Sequence, residues 1–226
     1  MNAELLSQGL IWYVALLFSL TLHEAAHDWV ALRGGDPTAT HEGQVSLDPL
    51  PHIRREPFGM VFIPIFFYLW SVLQGRPPWM IGWASAPYDP AWAFIHPRRA
   101  GWMALAGPVS NLLIALLAAA AIRLGVAGGV FEPGYVVFEL VAQSTTPGLW
   151  ETVATLLSLL FSLNLLLFVF NLIPLPPLDG AGVLYLFLRE AQAQRLMHTM
   201  AQPIFAYGGL LVAWLAIRPI FHPIFE

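Results

Sequence analysis

Residues 11–32 read IWYVALLFSLTLHEAAHDWVAL, an apolar run that carries two histidines, a glutamate and an aspartate near its end. Its length is close to the roughly 20 residues that an α-helix needs to cross a bilayer. It stops at Gly34-Gly35, with Pro37 beyond, an ordinary helix end. Within it, His23-Glu24-Ala25-Ala26-His27 has the HExxH pattern. On a helix, positions i and i+4 share a face, so the two imidazoles can reach one zinc ion with Glu24 beside them to handle protons. Ionisable groups inside an apolar span are costly unless paired, hydrated or metal-bound. The alternative is a helix end at the membrane interface, where such groups are cheap, because His27 lies about two turns before Gly34.

The rest of the chain has the same character. Of 226 residues 58% are hydrophobic and 11% charged, about half the charged share of a soluble domain. Further apolar runs cover Phe58 to Leu73, Trp102 to Leu124, about Glu151 to Leu172, and Ile204 to Ile217, with a shorter helical run from Ala181 to Arg189. The expected fold is an all-α polytopic membrane protein with about five or six transmembrane helices, organised as a single domain over residues 1–226. The stretch PPWMIGWASAPYDPAWAF, from Pro77, is apolar but broken by four prolines. It reads as a re-entrant or extended segment, which survives at membrane depth only when buried in protein or lining water. The first residues lack a basic start, so no secretory leader is expected.

Composition also excludes chemistries. There is no cysteine and no lysine, so thiolate nucleophiles, zinc–thiolate sites, Ser–Lys dyads and Schiff bases are out. A metal site must use imidazole and oxygen, which suits zinc. The net charge is −4 without a basic cluster, so nucleic acid is not an expected partner. No GxSG or GxGD motif is present, which argues against serine and aspartyl intramembrane enzymes. Arg33, Arg54, Arg55, Arg98, Arg99, Arg189 and Arg195 fall in segments that can share one side, read as the cytoplasm, with the N-terminus outside.

HExxH gives two protein ligands, and catalytic zinc usually takes a third. The candidate is Asp179, in Asn171-Leu-Ile-Pro-Leu-Pro-Pro-Leu-Asp-Gly180. Its prolines favour extended backbone and Gly180 permits close approach. Taken alone, the position suits an N-cap for the following helix better than a ligand.

HEAAH in an early helix and NLIPLPPLDG after a late one resemble the site-2 protease family of intramembrane metalloproteases. A third match, Ala106-Gly107-Pro108-Val109-Ser110-Asn111, is like the family's GPxxN stretch. GGDPTA and the later HPRRAGWMALAGPVSN look most like the short prokaryotic branch. The resemblance implies a Zn2+ cofactor ligated by His23, His27 and Asp179, Glu24 as catalytic base, and Asn171 and Asn111 supporting the site, the substrate or the oxyanion. It implies cleavage of membrane-spanning protein segments within the lipid bilayer, in regulated proteolysis. Unlike the broader family, only a short loop from Gly125 to Trp150 separates the second and third motifs, with no PDZ-like domain. Substrate selection is then expected from the membrane core or a separate regulatory membrane partner. A membrane metal-ion transporter using the same His/Asp cluster is the alternative; it would need more ligands along the spans.

Smaller expectations follow. Asp28 should lie off the ligand face, solvated or ion-paired, with Arg33 as partner. His41, His52 and His96 should have surface or capping roles, His52 being the spare ligand; His198 and His222 should be peripheral. The nine tryptophans should be interfacial anchors. The segment Trp79 to Asp89 is the candidate to hold an unwound substrate by strand addition.

Overall fold

The computed structural model describes residues 3–135, 138–205, 208, 209, 211, 212 and 215. Helix α1 spans Ala3–Arg33, followed by short helices α2 (Thr38–His41) and α3 (Pro49–Arg55). A π-helical turn, Phe58–Phe62, runs into α4 (Ile63–Leu73); an irregular stretch then leads to α5 (Pro90–Ile95). Helix α6 covers Pro97–Ala127, strands β1 (Phe131–Pro133) and β2 (Ala142–Ser144) pair antiparallel, and α7 covers Leu149–Asn171. Helix α8 (Asp179–Val183) passes into a 3-10 turn, Leu184–Phe187, before α9 (Glu190–Met200).

Among the described residues three helices, Leu5–Arg33, Pro97–Ala127 and Leu149–Asn171, are long and apolar enough to cross a membrane. The pair Pro49–Arg55 and Phe58–Leu73, bent by 110°, is a fourth span or a re-entrant loop. The run from Ile204 to Ile217 lies largely outside the described residues, as does His222. Leu113, Leu116, Leu117 and Leu124 line an exposed face of α6. Such a face is a liability in water and a fit to lipid. The chain is an all-α, multi-pass integral membrane protein.

Local chemistry sets the breaks. α1 ends where Gly35 takes φ +96°, in the left-handed region open to glycine. α3 and α5 both start at an Asp-Pro step. Asp48 accepts the Leu50 amide at 2.9 Å and Asp89 the Ala91 amide at 2.8 Å, each with proline in the first turn. The expected run from Ala181 to Arg189 is shorter and broken, because Leu188 returns to extended backbone.

The chain divides into two compact units. The first comprises residues 1–21, 48–85 and 113–165. Its apolar core includes Leu16, Leu159 and Leu163, and a cluster of Ile122, Phe131, Ala142 and Ala154 seats the β-hairpin. Polar groups join its helices: Asn164 Nδ2 donates to Ser19 Oγ at 2.8 Å, and Ser158 Oγ accepts the Ala142 amide at 3.1 Å. Trp12 is buried, donates Nε1–H to Glu139 at 2.9 Å and stacks on Phe138. In this unit the Trp83 amide donates to the Gly59 carbonyl at 3.2 Å, which helps to fasten the irregular stretch.

The second unit comprises residues 22–47, 86–112 and 166–226. Ala31, Trp92, Ala93, Ala100 and Met103 form its apolar cluster, with Val30, Tyr185 and Met197 packed on it. The Gly34 carbonyl at the end of α1 accepts from Trp92 Nε1 at 3.1 Å and from Arg99 at 3.0 Å. Asp36 is 2% exposed; one carboxylate oxygen accepts the Thr38 amide and hydroxyl, and the other the Asp89 amide at 2.8 Å. Burial pushes this carboxyl up, but those donors together hold it below the ordinary range.

Candidate metal centre

The HEAAH turn lies in the part of α1 that belongs to the second unit, and its His23, Glu24 and His27 are all buried. The helical pitch stacks the two imidazoles edge to face, with ring centroids 4.6 Å apart. Asp179 reaches them from the far end of the sequence. α7 stops at Asn171, and the chain then runs irregularly through Pro174, Pro176 and Pro177. Asp179 is the first residue of α8; its N-cap position belongs to Leu178 and no side chain caps it. A Cβ on Gly180 would collide with the backbone carbonyls of Leu172 and Ile173, so glycine is what lets the α8 turn close onto the end of α7.

His23 Nε2 stands 3.1 Å from Asp179 Oδ2, His27 Nε2 stands 3.3 Å from Asp179 Oδ1, and the two Nε2 atoms are 3.0 Å apart. These separations are near the ~3.3 Å edge of a tetrahedron built on metal–ligand bonds of ~2.0 Å, the zinc geometry. Among the described residues this is the one group of three metal-ligating side chains so placed.

The proton arrangement argues the same way. His23 Nδ1 lies 2.6 Å from Asn111 Oδ1, and His27 Nδ1 lies 2.7 Å from the Met103 carbonyl oxygen. Carbonyl oxygens only accept, so each neutral ring carries its proton on Nδ1 and leaves a lone pair on Nε2. Asp179 Oδ2 accordingly receives no hydrogen bond although His23 Nε2 is beside it. Two lone pairs and a carboxylate facing one point repel one another unless a cation sits between them. An N,N,O donor set with backs fixed by hydrogen bonds is what zinc takes.

Helix α6 supplies the floor. A Cβ on Gly107 would fall onto His27 Nε2 and within 2.6 Å of His23 Nε2, so any other residue there fills the metal position. Pro108 interrupts the α6 hydrogen-bond ladder one residue later. Sequence reasoning did not single out Gly107 or the Met103 carbonyl, although the GPxxN match contained the former.

The other expectations divide. Asn111 is brought to the site; Asn171, half-buried at the end of α7, has no hydrogen bond to the cluster among the described residues. Asp28 is fully buried rather than solvated, and Arg33 lies over the Trp29 ring, its carbon 5.0 Å from the centroid. His41 and His198 are exposed, and His96 caps α5 through its amide. His52 differs, being buried on α3. Trp12 and Trp92 are buried structural residues, not interfacial anchors.

The model of peptidase family M50 matches residues 11–216. The chain is 36% identical to YwhC of Bacillus subtilis over 208 residues, 92% of this chain and 80% of that protein. It is 34% identical to Rip2 of Mycobacterium tuberculosis over 200 residues, 88% of this chain and 64% of that one. For Rip2 of Mycolicibacterium smegmatis the identity is 29%, over 90% of this chain and 65% of that one. All three carry zinc metalloprotease in their names. The chain thus spans somewhat under two thirds of the length of the Rip2 proteins. No solved structure matches it. A family match over most of its length, on a chain with three helices apolar enough to cross a membrane, makes this chain a member of peptidase family M50, the zinc-dependent intramembrane metalloproteases, and does not favour a metal transporter.

Proposed function

We propose that His23, His27 and Asp179 are the ligands of the catalytic zinc and that Glu24 is its general base, in an endopeptidase of the HExxH type. The convergence of two proton-free Nε2 atoms and one carboxylate within 4.8 Å of one another carries the reading. A zinc ion held by these three residues would supply Lewis-acid chemistry, lowering the pKa of a water molecule and polarising the scissile carbonyl.

The chain's own residues do the remaining work. Glu24 takes the proton of the attacking water and passes it to the departing amine. Asn111 and the Met103 carbonyl hold the two imidazoles in the tautomer that keeps Nε2 free. This makes Asn111 a positioning residue, whereas Asn171 is left as the candidate that touches substrate or oxyanion.

The substrate is a protein segment of the bilayer, which must unwind before its carbonyls are open to attack. The stretch from Trp79 to Asp89 is the proposed holder of that unwound segment. Its backbone is neither helix, strand nor turn, and among the described residues only the Trp79, Trp83 and Asp89 amides in it find a partner. The other amides are open to strand addition.

Purified protein in proteoliposomes, incubated with a single-pass membrane substrate, tests the assignment. Glu24→Gln is expected to keep zinc and lose at least about a hundredfold in cleavage rate, the usual scale for a general base. A fully active Glu24→Gln variant removes Glu24 from the mechanism.

A further inference from the structure

Five residues beyond Asp179, the 3-10 turn Leu184–Phe187 and helix α9 line an open groove of about 440 Å³. This is within the range of small-molecule sites. Leu184, Phe187, Leu188 and Leu196 give it an apolar wall; Gln192 and Arg195 stand on the α9 side. Gln192, Arg195 and Leu196 share one face of α9 by their i, i+3, i+4 spacing. The opposite face is anchored: Ala193 is fully buried, Met197 packs on the Trp92 cluster, and Gln194 Nε2 donates to the Phe94 carbonyl at 3.0 Å. The groove is therefore a built surface of the second unit.

Two features say what covers it. Phe187 is 80% exposed, so this wall offers an acyl chain an apolar surface. The rim is basic. Arg195 lines the groove, and exposed Arg189 precedes α9. The acid of α9, Glu190, lies about 140° around the helix from Arg195 and outside the lining.

We propose that this groove seats one anionic phospholipid, with an acyl chain along Leu184, Phe187, Leu188 and Leu196 and the phosphate at Arg195. Basic pockets at the edge of transmembrane bundles take such headgroups, with each arginine near the surface adding about fivefold in affinity. The bound lipid would brace the segment that carries Asp179.

The test is retention of lipid by the delipidated full chain in neutral detergent, read by native mass spectrometry after exposure to equimolar phosphatidylglycerol and phosphatidylcholine. Phosphatidylglycerol is expected to be retained preferentially. Arg195→Gln should cut that preference by about fivefold and Arg195→Lys should keep it. Phe187→Ser should lower retention of the lipid, while Arg123→Gln, at an exposed arginine of the first unit, should change nothing. Equal retention of both lipids overturns the proposal, as does a preference that survives Arg195→Gln or falls equally with Arg123→Gln. Retention unaffected by Phe187→Ser would overturn the acyl seat. The readout is binding, so it stands apart from the assignment of the metal ligands.

Discussion

The side-chain oxygen of Asn111 lies 2.6 Å from Nδ1 of His23, and both residues are buried. That contact orients a ring from α1 by a residue of α6, and it decides which nitrogen of His23 carries the proton. Replacing Asn111 by Leu should therefore weaken zinc affinity by about tenfold to a hundredfold, the cost of losing an outer partner of a ligating histidine. Asn111→Asp, which keeps an acceptor at the same place, should recover most of it. Competition with a zinc chelator measures both, and an unchanged affinity in Asn111→Leu would make the contact incidental.

Gly107→Ala separates the metal site from the fold. Alanine favours a helix over glycine by about 1 kcal/mol, so α6 as a helix should gain. Its Cβ, however, falls between the two imidazoles. The expected result is a helical, well-behaved protein by circular dichroism that has lost stoichiometric zinc. Full zinc occupancy in this variant would mean that α6 does not approach the histidines as closely as described.

Asp36 provides a pH-dependent brace. Its carboxylate accepts from Thr38 and from the Asp89 amide, which holds its pKa below the unfolded value despite burial. A depressed folded pKa adds stability that is full above the unfolded value of about 3.9 and is lost as pH falls through the folded one. Asp36→Asn should cost on the order of 1–3 kcal/mol at pH 7, because an amide NH2 meets the Asp89 N–H. The gap between wild type and variant should close on acidification below about pH 4. Thermal unfolding in detergent at both pH values checks the sign; a gap that widens in acid would contradict it.

How much of this was legible depends on the range of the signal. The membrane fold and the HEAAH face follow from apolar run length and helical spacing, which are local. Asp179 was reached through its motif, because nothing local separates a ligand from an N-cap; the structure gives the N-cap position to Leu178. What sequence hid was tertiary. Gly107 looks like any helix glycine until His23 and His27 are set against it. Asp28 was expected to be solvated or ion-paired, and packing buries it fully. The capping by Asp48 and Asp89 was readable, since Asp-Pro marks a helix start. The pairing of Phe131–Pro133 with Ala142–Ser144 was not, because three-residue strands carry no usable period.

The most direct measurement is zinc content of the purified protein beside Asp179→Asn, by elemental analysis after equilibration with limiting zinc. Convergence of His23, His27 and Asp179 predicts stoichiometric zinc in the wild type and marked loss in the variant. Zinc bound as tightly by Asp179→Asn as by the wild type would contradict it and move the third ligand elsewhere.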